Sequence, residues 1–494
     1  RLTASPTQAM VLNGGFRRVV LILCLLLCLH SPLWSQSPTG NASEDRQKME
    51  AVDKFIRERV SPRIVPSITL SVVRHGKVLY ESGYGLADRE KRVSATPDTP
   101  YYVASVTKAL TGTSLVILEA EDKIDLNRPA NDYLHSAKLH SPMWDVSGAT
   151  VHRVANHTAG LTTYDRTCVV GDVHCQVSTE VAIERYGVVF WPPGDHFDYS
   201  NLGYGVLGQV ISNVSGQSLS EFLEQHIFRP LQMRNCYLSM TGDIHPGSAV
   251  NYDDSRVRQP LRVSDTPAAS SVRCSAHDLA IFGSFVLGEP VRGQKEILPK
   301  DRLRELLYSD KADAGEHCSF GWERNTVEGY VGIFAQGGTE DSSAVLQLIP
   351  DAALSIAVIS NTGTRIPLEI VKGIVAKLLP AKSTFVVEGG LAGRWSGTVQ
   401  TWKENVPLAV SISSTSVQAG VGENAVLSPC EKPDVSNARV YCVTRGDLKT
   451  PDAPSPPYNI ELELYLHEGV LFGAATTSDG TELPFWVKLT REKH

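Results

Sequence analysis

Apolar residues recur three and four apart from about Lys48 to Val60, which predicts an opening helix. Ser67–Val73 and Lys77–Tyr80 then alternate in the manner of strands, and His75-Gly76 between them predicts a hairpin turn. Gly83-Tyr84-Gly85-Leu86-Ala87-Asp88 leads into a turn-rich stretch that ends at Pro100. A long apolar helix is expected from Thr107 to about Ala120, with further helical patterns at Tyr204–Val214, Ser218–Phe228 and Ala276–Leu287. Strand patterns return at Tyr330–Phe334, Ala344–Ile349 and Leu354–Ile359, followed by a helix from about Pro367 to Leu379. Strands, then helices, then strands again describe an α/β (α+β) domain on a central antiparallel sheet flanked by helices.

The pattern changes after Pro380. Helical spacing vanishes from Leu391 onward, and short alternating runs take over at Gly397–Thr401, Leu408–Ile412, Val440–Val443, Ile460–Leu466 and Phe485–Leu489. Turn residues separate them, including the loop Pro451–Pro457, so a small all-β sandwich or barrel-like domain is expected over residues 385–494. The main domain is expected over residues 45–382, with the boundary near Lys382–Glu388.

The first 36 residues carry a different signal. Arg17 and Arg18 precede the apolar run Val19–Leu29, and a polar stretch from Ser35 to Gly40 follows, the layout of a secretory signal peptide. The run is shorter than the ~20 apolar residues of a membrane span, so no stable span is expected once the signal is removed. Met10 is a candidate natural start, which would leave residues 1–9 outside the native chain. Cleavage is expected near Ser35, although Leu33 is larger than the residue usual two positions earlier. Cys24 and Cys28 raise a lipoprotein alternative, against which each follows a leucine. The expected destination is periplasmic or extracellular.

Export changes how the other cysteines read. Cys168 with Cys175, and Cys430 with Cys442, are each close enough to close a small loop in an oxidising compartment, and scattered buried thiols are the alternative. Cys236, Cys274 and Cys318 leave an odd number, and no C-x-x-C spacing suggests zinc. With 42% hydrophobic residues, 20% charged residues and a net charge of −7, the composition is that of an ordinary globular protein. No basic run suggests a nucleic-acid partner.

Two short motifs carry candidate chemistry. Ser105-Val106-Thr107-Lys108 is the one Ser-x-x-Lys in the chain, and on a helix it stacks the amine one turn behind the hydroxyl. A serine hydroxyl needs a neighbouring base to become a nucleophile, and a desolvated lysine can serve or can tune another base. Tyr199-Ser200-Asn201 is the one Tyr-x-Asn; a phenolate there would move protons while the amide orients a substrate. Alone, each motif also suits a purely structural role.

Four flanking segments lie in register with the two motifs. Gly83–Asp88, Asn156-His157-Thr158-Ala159-Gly160-Leu161, Trp191–Tyr204 and Pro230-Leu231-Gln232-Met233 resemble segments of the serine β-lactamase and penicillin-binding-protein superfamily. The likeness is to its class C branch, which includes D-Ala-D-Ala carboxypeptidases and esterases, and covers about residues 48–380. It implies a β-lactamase/transpeptidase-like fold, with Ser105 acylated, Lys108 and Tyr199 moving protons, and Asn201 orienting substrate. It also implies an oxyanion hole from the backbone N–H groups of Ser105 and Gly338, with Gln336 and Thr339 beside the substrate. His157 reads as the holder of a turn, and Trp191 as either cleft wall or core.

The third family motif departs. Where relatives carry Lys or His, any residue and Gly, this chain reads Ala335-Gln336-Gly337, then Gly338-Thr339. A shift of one would put Gln336 at the key place, and neither alignment supplies a cation. Glu340-Asp341-Ser342 follows where relatives read P-G-F, and two acids there would repel an anionic ligand. The expectation is therefore an exported serine hydrolase acting through an acyl-enzyme on a small-molecule or peptide ester or amide, cell-wall-derived peptides among them. True β-lactam hydrolysis is less favoured. A non-catalytic binding protein is the alternative, and a third reading gives the function to the C-terminal β-domain with the first domain as scaffold. No cofactor or metal is implied, and the oligomeric state is not readable.

Overall fold

The computed structural model describes residues 42–60, 65–164, 166–172, 178–242, 244–307, 318–381, 390–413, 416–436, 439–453, 456–467, 469–478 and 483–492. The expected signal segment, Cys175 and the expected domain boundary near Lys382–Glu388 lie outside them.

The His75-Gly76 hairpin forms as its sequence dictates. Both residues take positive φ (49° and 66°), the geometry that matches strand twist in a two-residue turn. Its arms run further than the alternation suggested, over Ser67–Arg74 and Lys77–Asp88. They lie in an eight-stranded sheet ordered Val93–Ser94, Lys77–Asp88, Ser67–Arg74, Leu354–Ser360, Ser342–Ile349, Tyr330–Thr339, Trp322–Val327, Cys318–Ser319. Every pairing in it is antiparallel. Trp322–Val327 escaped sequence reading because Glu323, Arg324 and Asn325 interrupt its apolar alternation.

The strands are apolar on both faces because both are covered. Ile333, Ala335, Leu346 and Leu348 share one core with the helices Thr107–Ala120, Asn201–Ser215 and Ala276–Val286. Val345, Ile349, Ile356 and Val358 share the other with the helix Ala42–Arg59, through Met49, Val52 and Ile56, and with Ile366–Leu378. The helix expected over Ser218–Phe228 is a capped turn of α-helix, Leu219–Leu223, that runs on as a π-helical turn over Glu224–Phe228.

The C-terminal part is one nine-stranded antiparallel sheet rather than two facing sheets. Strands Val417–Val421 and Arg439–Gly446 are not neighbours in its order yet touch, so the sheet curls around a core of Trp395, Val410, Leu462 and Leu489. Strands Val417–Val421, Glu431–Ser436 and Val470–Thr477 were not foreseen.

The cysteines depart from the expected Cys430–Cys442 pairing and add a bridge that was not expected. Cys236 and Cys274 form a disulfide, joining segments 38 residues apart. Cys430 and Cys442 are buried free thiols: the side chain of Cys430 hydrogen-bonds Cys442, which with burial pushes the Cys442 thiol up. Cys168 is disulfide-bonded.

Candidate active site

A strained turn delivers the serine. The short strand Tyr101–Tyr102 ends at Val103, and Ala104 adopts φ 45°, a left-handed value uncommon for a residue with a Cβ. A 3-10 turn over Ala104–Val106 follows and runs directly into the helix Thr107–Ala120. Ser105 is half-buried in that turn, while Lys108, one turn on, is 2% exposed. Lys108 Nζ donates to Ser105 Oγ (3.0 Å), to Asn201 Oδ1 (2.7 Å) and to the carbonyl of Ala269 (3.0 Å). It also lies 4.8 Å from the ring centroid of Tyr199 and 5.3 Å from that of Tyr204. Nothing in a sequence motif flags Ala269, because its contribution is a backbone carbonyl.

Tyr199-Ser200-Asn201 is a helix start. Ser200 is the N-cap of Asn201–Ser215 and its side chain accepts from Gly203 N–H, the usual role of a serine there. Capping fixes Tyr199 just before the helix and Asn201 at its first position. Tyr199 OH then lies 2.8 Å from Ser105 Oγ.

His157 secures this segment from behind. Its carbonyl accepts from Asp198 N–H (2.8 Å) and its Nδ1 accepts from Ser200 N–H (3.0 Å). The imidazole is buried and lies 4.5 Å from the Tyr199 ring. Burial, reinforced by the Lys108 charge, lowers it to about 3, so it is neutral and an acceptor at Nδ1.

The third-motif strand, Tyr330–Thr339, approaches the serine turn with its backbone. A Cβ on Gly337 would fall 2.1 Å from the Val103 carbonyl oxygen and 2.7 Å from Ser105 N, so only glycine fits. Alternation puts Ala335 on the same face as Gly337, and Ala335 is 2% exposed in the core. Gln336 points to the other, exposed face. The one-residue shift would thus not bring Gln336 to the serine. Thr339 pairs with Ser342, and Glu340-Asp341 forms the two-residue turn between them. Thr339 Oγ1 donates to Asp341 Oδ1 (2.6 Å).

The structure therefore brings together Ser105, Lys108, Tyr199 and Asn201, sets Gly338 and Thr339 alongside, and leaves Gln336 facing away. Trp191 is 45% exposed, edge-on to His196, which removes it from the core. Glu323 was missed: it is raised by burial, with the charge of Lys108 pulling it back.

The family model described as Beta-lactamase matches residues 52–379. The chain belongs to the Beta-lactamase family. Among relatives of this family member, Protein flp of Staphylococcus aureus (strain MW2) is 25% identical over 342 residues, covering 67% of each chain. The octameric penicillin-binding protein homologue from Pyrococcus abyssi is similar in structure (TM-score 0.55, 20% identity), covering 90% of this chain and 100% of that one. A class C β-lactamase is similar over 69% of this chain and 99% of its own (TM-score 0.56, 18% identity). The longer match reaches into the C-terminal sheet; the shorter corresponds in length to the main domain. These structural likenesses establish the β-lactamase/transpeptidase fold of the main domain.

Proposed function

We propose that this family member is an exported serine hydrolase that forms an acyl-enzyme at Ser105 with an ester or amide substrate. The carrying observation is that Ser105 Oγ sits between Lys108 Nζ (3.0 Å) and Tyr199 OH (2.8 Å). Lys108 beside the Tyr199 ring favours the phenolate, which accepts the serine proton as Oγ attacks the carbonyl. The developing oxyanion takes backbone N–H groups of Ser105 and Gly338. An N–H in the first turn of a helix has no partner inside that helix, which suits Ser105 to this use. The proton passes from Tyr199 to the leaving group, and water then enters by the same path to release the acid.

Ala335 directs the choice of substrate. A cation at that position would bind a carboxylate on the leaving-group side, and alanine offers neither charge nor hydrogen bond. Esters and amides lacking that carboxylate are accordingly favoured over penicillins. Export is supported by the Arg17–Leu29 signal pattern and by the Cys236–Cys274 bridge, which belongs in an oxidising compartment. Among the described residues no helix is long and apolar enough to cross a membrane.

The test is turnover of p-nitrophenyl butyrate and, separately, nitrocefin by residues 36–494, beside Ser105→Ala. Ester turnover lost in the variant, with nitrocefin untouched, is the expected result. Nitrocefin turnover would overturn the weight placed on Ala335. A wild type as inert as the variant would favour a binding protein, the reading that Ala335 also motivates.

A further inference from the structure

A cavity of about 480 Å³ opens beside the third-motif strand, and Gly338, Thr339, Glu340 and Asp341 form one wall. Ser105, Lys108, Tyr199 and Asn201 do not line it, and Tyr102 and Gly338 are its residues nearest the serine turn in chain and strand order. A leaving group must lie where Tyr199 can protonate it, and Tyr199 does not line the chamber; Gly338, the strand residue next to the serine turn, does, which makes the chamber a candidate for the acyl half of a substrate.

Arg273 is in this chamber and is 4% exposed. It sits in the middle strand of a three-stranded sheet, directly opposite Tyr102 on one side and Tyr237 on the other. The adjacent Cys274 is tied to Cys236, which fixes this strand in place. Among the described residues the guanidinium makes one hydrogen bond, from Nη1 to the Ala249 carbonyl (3.1 Å), and lies 5.9 Å from the Tyr102 ring centroid. No carboxylate is within ion-pair distance of it among the described residues. A guanidinium carries five N–H donors and keeps its charge, so a buried one without a counter-charge is costly. Burial pulls it down, opposed first by Tyr237 and Tyr102 and then by Asp341. Exposed Arg262 adds a second cation to the wall, and Arg258 a third that is shared with Glu90 (3.6 Å).

Resting on the acyl-enzyme reading, we propose that this chamber selects acyl groups ending in an anion, with Arg273 as the residue that recognises a carboxylate. The polarity of the site is thereby inverted: the cation missing at Ala335 is replaced by one on the acyl side. Glu340 and Asp341 also line the chamber and oppose an anion there; Asp341 Oδ1 is engaged by Thr339, and Arg258, Arg262 and Arg273 on the same lining outweigh the two acids. Tyr102 is three residues from Ser105, which bounds their Cα separation at roughly 11 Å. The proposal accordingly calls for a carboxylate roughly three to five bonds beyond the scissile carbonyl.

The test compares mono-p-nitrophenyl glutarate with neutral p-nitrophenyl valerate and cationic p-nitrophenyl 5-aminovalerate, in wild type and Arg273→Met. Wild type is expected to prefer glutarate by about tenfold or more in kcat/KM, the scale of a charge-assisted hydrogen bond. Arg273→Met should lose that preference mainly through KM, while valerate falls far less. Equal losses on both esters, or a wild-type preference for the aminovalerate, would overturn the proposal. If Arg273→Met does not fold, surface variant Arg262→Gln should reduce the glutarate preference severalfold, and an unchanged preference counts against it. A direct arm separates this proposal from the hydrolase reading. Free glutarate should raise the Tm of Ser105→Ala protein where butyramide does not. Absence of that shift rejects the anion site even if esters are hydrolysed, and its presence supports the site even if none is.

Discussion

The serine-tyrosine half of the site and the third-motif strand have parted ways. In the first, side chains do everything: Lys108 reaches three acceptors, Tyr199 reaches Ser105, and His157 fixes both ends of the segment between Asp198 and Ser200. In the second, the backbone is retained and the side chain is gone. Gly337 still lies against Ser105 N, while Ala335 brings only a methyl group to the core. Positioning an oxyanion donor needs strand geometry; recognising a carboxylate needs a charged side chain. The two duties are therefore separable, and on the proposed reading this chain keeps the first without the second.

The largest expected effect breaks the intact half. Lys108→Met keeps much of the apolar stem but removes all three hydrogen bonds. Ester turnover should fall by about a thousandfold or more, or ~4 kcal/mol, with little change in KM. A kcat within tenfold of wild type would mean that Lys108 only supports the fold.

The next effect concerns how the Arg273 strand is anchored. Opening a 38-residue loop by Cys236→Ala/Cys274→Ala should cost about 2–4 kcal/mol in denaturant unfolding. The comparison is Cys430→Ala/Cys442→Ala, which removes no bridge and should cost less under reducing conditions. If oxidised wild type contains a Cys430–Cys442 bridge by peptide mapping, the assignment of these two as free thiols fails.

Rebuilding the missing half should be unfavourable. Ala335→Lys places a long cationic side chain in a filled core position, at a cost of about 1–3 kcal/mol. It should not create nitrocefin turnover. A stable variant that hydrolyses nitrocefin would show that one side chain separates the two chemistries.

Much of this was legible beforehand. The helix Thr107–Ala120 carries the apolar run Leu115–Leu118 and the His75-Gly76 turn needs positive φ, so both announced themselves. Ser105, Lys108, Tyr199 and Asn201 were named from two motifs, although 93 residues separate Lys108 from Asn201. Arg273 was not, because its meaning depends on Tyr102 and Tyr237 pairing on either side, a tertiary fact with no local signal. The Cys236–Cys274 bridge was hidden for the same reason, since proximity in sequence favoured Cys430 with Cys442. Ala335 was legible as an absence, but which face it occupied required the register set by Gly337.

The smallest effect sharpens the account of the intact half. His157 is buried and lowered to about 3, below the ~6.5 of an unfolded histidine. A histidine depressed by folding contributes stability that is present above pH 6.5 and lost as pH falls, because the unfolded chain takes up the proton first. The slope is about 1.4 kcal/mol per pH unit between 6.5 and 3. Asp278 works against it: burial raises that carboxyl to about 6, so its contribution grows as pH falls from about 6 towards the ordinary carboxylate range. The two slopes largely cancel in wild type, and only a difference between variants reveals either. His157→Gln keeps an acceptor for Ser200 N–H without the titration. Its stability relative to wild type should therefore improve steadily from pH 6.5 to pH 4. A difference that does not change with pH would mean that His157 is not buried neutral, and that the Tyr199 segment is held by other contacts.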